Sequence, residues 1–169
     1  SYCKILVQIL KDLERQRSMT QFFGGKHSFI TLRELFKWAD RDAGSKEELA
    51  RDGYFILAEK MRNANEKEIV RQVIEKNTKV KLDMEHLYDC EELHKAQEMC
   101  PEIVWTPSMI RLFCLIIQCI KNKEPALLIG ETGCGKTTVC QIIAKLYDQQ
   151  LRILNCHQHT ETADFIGGM

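Results

Sequence analysis

Leu127–Gln141 reads LLIGETGCGKTTVCQ. A short continuous apolar run enters a glycine-rich turn, and Lys136 and Thr137 open a helix-like stretch behind it. Gly130 to Thr137 fits the spacing G-x-x-x-x-G-K-[ST]. Gly130, Gly133 and Gly135 let the backbone curl so that its N–H groups converge on phosphate oxygens. The positive end of the following helix adds to that attraction. Lys136 is placed to reach the β- and γ-phosphates, and Thr137 to set its hydroxyl on Mg²⁺. Glu131, Thr132, Cys134 and Thr138 complete the candidate nucleotide-binding set, with ATP and Mg²⁺ as the expected cofactors. The bland alternative is a glycine-rich turn without a ligand. A strand before the turn and a helix after it is the context that favours a phosphate loop.

Working outward, Thr106 as N-cap and Pro107 at the first helical position start a helix in TPSMIRLFCLIIQCIKN. Its apolar residues cover most of its circumference and predict burial. ALLIG reads as a short buried strand, and LRILNCHQH supplies a second strand candidate. The order helix, strand, loop, helix, strand predicts the start of an α/β P-loop core of three layers with a parallel sheet. Upstream, Ile5, Leu6, Ile9, Leu10 and Leu13 recur at helical spacing. SMTQFFGGKHSF breaks that helix at Gly24 and Gly25. Thr31 with Glu34, and Ser45 with Glu48, are capping boxes that open the next two helices. Gly53 inside the second of these points to close packing. Ile69, Val70, Val73 and Ile74 form one face of a further helix. Three units are therefore expected: an all-helical unit over 1–77, a linker with a polar helix from Glu85 to Met99 over 78–105, and the α/β segment over 106–169. The chain as a whole reads as mostly helical.

The chain of 169 residues balances 24 basic against 24 acidic side chains. That balance argues against a nucleic-acid-coating surface, an acidic tail or a polybasic membrane anchor. The longest apolar run, Leu112 to Ile117, is too short to span a bilayer. Eight cysteines occur without a CxxC pair, and several lie in apolar helical runs, which reads as reduced thiols of an intracellular compartment. Ser1 and Met169 both read as cut ends of something longer.

Other candidates are weaker. Cys134 reads either as a small residue tolerated at a variable loop position or as a thiol activated by the helix N-terminus. His86, Cys90, His94 and Cys100 are the one cluster with metal-ligand chemistry. Their spacing along a single helix face suits a solvated helix better than zinc. His157 and His159 follow the second strand candidate and suit capping or loop packing better than sensing. No apolar run after Thr137 ends in Asp-Glu, the acidic pair that holds Mg²⁺ and polarises water in P-loop ATPases. The segment alone is therefore expected to bind nucleotide weakly and not to hydrolyse it, with no catalytic residue of its own.

GETGCGKTTVCQ followed by LNCHQHTETADFIGG resembles the AAA+ modules of the midasin family, the giant dynein-related ATPases of ribosome assembly. FFGGKHSFITLRELFKWADR and EELARDGYFILAEKMR resemble the helical lid that ends one such module. The resemblance implies a lid over 1–77, a link over 78–105, and the opening of the next module over 106–169. It places the sensor-2 arginine of the lid on Arg33, whose planar, always-charged fork suits phosphate sensing. The alternative for Arg33 is an ordinary surface residue. Phe36 and Trp38 are expected in the lid core. The resemblance further implies a mechanochemical ATPase of six modules in a ring. Its partners would be pre-60S ribosomal particles and their assembly factors, besides the neighbouring AAA+ modules of the same chain. Its place would be the nucleus. Other readings are a non-hydrolysing structural nucleotide-binding module, another giant AAA+ protein of dynein or mysterin type, and a nucleotide or small-molecule kinase. The helical unit before the loop disfavours the kinase.

Overall fold

The computed structural model describes residues 2–19, 30–61, 63–156, 158 and 160. The SMTQFFGGKHSF loop from Thr20 to Phe29, His157, His159 and the DFIGG motif lie outside the described residues. Two compact units are present, Ser1–Tyr88 and Asp89–Met169. The stretch expected as a separate link over 78–105 is divided between them.

The first unit holds α1 (Tyr2–Met19), α2 (Leu32–Asp40), α3 (Lys46–Gly53) and α4 (Ala64–Thr78). In α1, Leu6, Ile9 and Leu13 form the buried stripe that the sequence spacing predicts. Thr31 caps α2 by accepting the Arg33 N–H, and Glu34 returns the bond to the Thr31 N–H. Ser45 caps α3 through the Glu48 N–H. There the reciprocal bond differs: the Glu48 carboxylate accepts the N–H of Gly44 rather than that of Ser45. Directly after Gly53 the helix widens into a π turn over Tyr54–Ala58, closed by the Glu59 N–H on the Tyr54 carbonyl. All five residues of that turn are buried. Val70, Val73 and Ile74 of α4 meet this core.

Residues after α4 stay with the first unit. Leu82 and Leu87 are buried, and the Leu82 N–H is held by the Glu75 carboxylate. Tyr88 donates its hydroxyl to Glu59 and its ring lies 5.9 Å from that of Phe55. The helix expected from Glu85 begins only at Glu91. Asp83 captures the N–H groups of Glu85 and His86 in a local turn, which competes with the helix there. Phe36, expected in the core, is 66% exposed, because the face of α2 that packs inward carries Leu35 and Trp38.

The second unit holds α5 (Glu91–Met99), α6 (Pro107–Lys121) and α7 (Lys136–Leu146), each packed on the other two. Leu93 and Ala96, Phe113 and Ile117, and Val139 and Ile142 form its core. Trp105 meets the Phe113 ring edge-on at 5.5 Å. The described residues are mostly helical, as expected, and do not show the full α/β core: there is no strand among them. The candidate strands at 126–130 and 151–156 carry no regular hydrogen-bonded structure. Leu127 and Ile129 are about nine-tenths exposed, at 85% and 86%, so ALLIG is not buried. A strand exists only through ladder bonds to a neighbour, and these two segments do not bond to one another. Their apolar pattern records a sheet that the described residues do not complete.

Candidate phosphate-binding loop

The loop between Gly130 and α7 is built by its glycines. Gly133 and Gly135 take φ of 86° and 85°, a region that costs an L side chain strain. Gly135 is the N-cap of α7 and offers no side-chain cap. The helical ladder starts with the Val139 N–H on the Gly135 carbonyl at 2.9 Å. The first N–H groups of α7, those of Lys136, Thr137 and Thr138, therefore stand at the positive helix end without a side-chain acceptor.

Lys136 turns back into the loop. Its ammonium donates to the Gly130 carbonyl at 2.9 Å and the Glu131 carbonyl at 2.7 Å, and lies 3.3 Å from the Cys134 sulfur. The charge is thus held at the centre of the curl. A Cβ on Gly130 would stand 3.1 Å from that sulfur and 4.0 Å from the ammonium, so the site is tight on that side. Below the loop, the Met109 sulfur of α6 lies 4.0 Å from the Cβ position of Gly135. Glu131, Thr132, Cys134, Thr137 and Thr138 are exposed around the rim.

These residues fit a phosphate group: a glycine curl, a helix N-terminus and one central cation are the donors such an anion takes. For a divalent cation the helix start offers the Thr137 hydroxyl, with the Glu131 carboxylate and the Thr132 and Thr138 hydroxyls on the rim. No cluster of three or more His, Cys, Asp or Glu among the described residues is arranged for a metal. The cluster weighed over 86–100 is dispersed: His86 pairs with Asp83, His94 with Asp89, and Cys90 with the Cys114 sulfur. Arg33 belongs to the other unit. It is exposed on the first turn of α2, beside a groove lined by Leu10, Glu14, Ile30 and Thr31. The sequence did not reveal Met109 under the loop or the Cys90–Cys114 pair, since both depend on which helices meet.

Comparison with known proteins matches both units. Residues 1–81 match the midasin AAA lid domain, and residues 125–169 match the AAA domain of the dynein-related subfamily. Midasin of Dictyostelium discoideum is 51% identical over 187 residues, covering 100% of this chain and 3% of that protein. Midasin of Giardia intestinalis is 35% identical over 197 residues, covering 99% of this chain and 4% of that protein. This chain thus spans a few per cent of the length of the curated relatives it matches. With a lid match ahead of an AAA match and identity running from end to end, the chain belongs to the midasin family.

Proposed function

We propose that the 130–138 loop binds the phosphates of ATP, with Mg²⁺ held through Thr137, as one nucleotide site of a midasin-type AAA+ motor. The observation that carries this reading is the Lys136 ammonium, 2.7–2.9 Å from two loop carbonyls at the uncapped head of α7. An anion arriving there exchanges those carbonyls for phosphate oxygens, and the N–H groups of the curl orient it. ATP supplies the hydrolysable phosphoanhydride. Residues 1–81, the lid match, belong to the module before this one, and Arg33 is its candidate phosphate sensor. By kinship with midasins, the whole protein would act in the nucleus and remove assembly factors from pre-60S particles.

Nucleotide binding by the full-length protein, with its other nucleotide sites silenced, tests the loop. Lys136→Ala should lower affinity at this site at least tenfold, and Lys136→Arg should rescue part of it. Unchanged affinity in Lys136→Ala removes the proposal. A non-hydrolysing version of the same site gives the same binding result and differs only in showing no turnover.

A further inference from the structure

Apart from the loop, the second unit brings two thiols into contact. Cys90 is the N-cap of α5, and Cys114 lies on the buried face of α6. Their sulfurs are 3.8 Å apart across a sequence separation of 24 residues. We infer that Cys90 and Cys114 are a reversible redox pair that closes to an intramolecular disulfide on exposure to hydroperoxide.

The surroundings divide the roles. Cys90 is half-buried and open to a small oxidant, while Cys114 is 3% exposed and reachable chiefly through Cys90. The Cys90 thiol is held down to about 7, first by its hydrogen bond with Cys114 and then, against burial, by the Leu93 N–H at the head of α5. Among the charges facing it, Lys121 favours the thiolate and Glu92 opposes it. Cys114 is pushed up by the same bond, by burial and by the carboxylates of Asp89 and Glu92. Cys90 is therefore the attacking thiolate and Cys114 the resolving thiol.

The Cys90 thiolate attacks one oxygen of hydrogen peroxide. The O–O bond breaks, a sulfenic acid forms on Cys90, and the leaving hydroxide takes a proton to become water. The Cys114 sulfur then displaces the sulfenic oxygen: the S–S bond forms, the S–O bond breaks, and the oxygen leaves with the Cys114 proton as a second water. Two thiols are oxidised by two electrons and one peroxide is reduced. Closing the gap of about 1.8 Å to bonding distance falls mainly to Cys90, the less buried of the two. The product ties the head of α5 to the helix whose Met109 lies beneath Gly135.

Full-length protein treated with hydrogen peroxide, blocked with N-ethylmaleimide and mapped by peptide mass should yield a linked pair of peptides carrying Cys90 and Cys114. Dithiothreitol should release it. Cys90→Ser should leave Cys114 reduced, and Cys114→Ser should drive Cys90 on to sulfinic acid. Three results would overturn the inference: Cys90 overoxidised beside a reduced Cys114 in the natural protein, both thiols left reduced, or Cys90 linked elsewhere. The natural sequence alone decides between these outcomes, so misfolding of a variant leaves the test intact.

Discussion

Trp38 packs directly against Gly53. A Cβ built on Gly53 would fall 2.2 Å from the Trp38 ring, and the indole N–H reaches past it to the Leu49 carbonyl at 3.0 Å. The ring is fully buried and ties α2 to α3 just where the helix widens into its π turn.

Gly53→Ala therefore sets two effects against each other. Alanine in a helix gains about 1 kcal/mol over glycine. Forcing a methyl into a filled core costs about 1–3 kcal/mol, and the upper end applies where the obstacle is a rigid indole. Net destabilisation of about 2 kcal/mol follows from those two magnitudes. Chemical denaturation should show it as a lower midpoint. An unchanged or raised midpoint would mean that the ring is free to move.

Glu34 gives the first unit an acid-sensitive joint. Partial burial pushes its carboxyl up, but the Lys60 ammonium at 2.6 Å, the Thr31 hydroxyl and the Thr31 N–H outweigh it and hold the group at about 2. The folded value lies below the ordinary glutamate value of 4.5. This contribution to stability is therefore complete above about pH 4.5 and is lost as pH falls towards 2. Glu34→Gln should flatten the decline in that window while lowering stability at pH 7 by about 1 kcal/mol, given solvent screening of the pair. Thermal unfolding at several pH values measures both. An equally steep decline in the variant would assign the acid sensitivity elsewhere.

Arg41 and Asp52 form a pair of the opposite sign. Burial pushes the Asp52 carboxyl up, and Arg41 at 3.3 Å only partly offsets that. With the folded value above the ordinary aspartate value of 3.8, the proton binds more tightly to the folded chain, so Asp52 weakens the fold as pH rises above 3.8. Arg41→Met removes the compensating charge and should cost about 3 kcal/mol at pH 7. The loss should shrink as pH falls and Asp52 takes up its proton. A deficit independent of pH would show that Arg41 acts by packing instead.

The helices were largely legible because each carries its own signal. Leu6, Ile9 and Leu13 repeat at helical spacing, and the caps at Thr31, Ser45 and Thr106 bond as their residue types predict. Phe36 misled because its hydrophobicity says nothing about which face of α2 turns inward. ALLIG misled for a related reason: an apolar run marks a strand only when ladder partners complete it. In the loop, residue types foretold the curl at Gly133 and Gly135, while the inward turn of Lys136 depends on where the loop carbonyls of Gly130 and Glu131 stand.

Two loop glycines should fail differently. At Gly133 a methyl meets no atom within 4 Å, yet φ is 86°, so Gly133→Ala meets backbone strain of about 1–2 kcal/mol and no clash. At Gly130 no positive φ is involved, but a methyl stands 3.1 Å from the Cys134 sulfur and 4.0 Å from the Lys136 ammonium. Gly130→Ala should therefore act through Cys134, and Cys134→Ala should relieve it. Gly133→Ala should gain nothing from Cys134→Ala, because its fault lies in the backbone. Nucleotide affinities of the two single and two double variants in the full-length protein form the measurement. Equal rescue of both glycine variants would mean that Cys134, rather than the curl at Gly133, limits the loop.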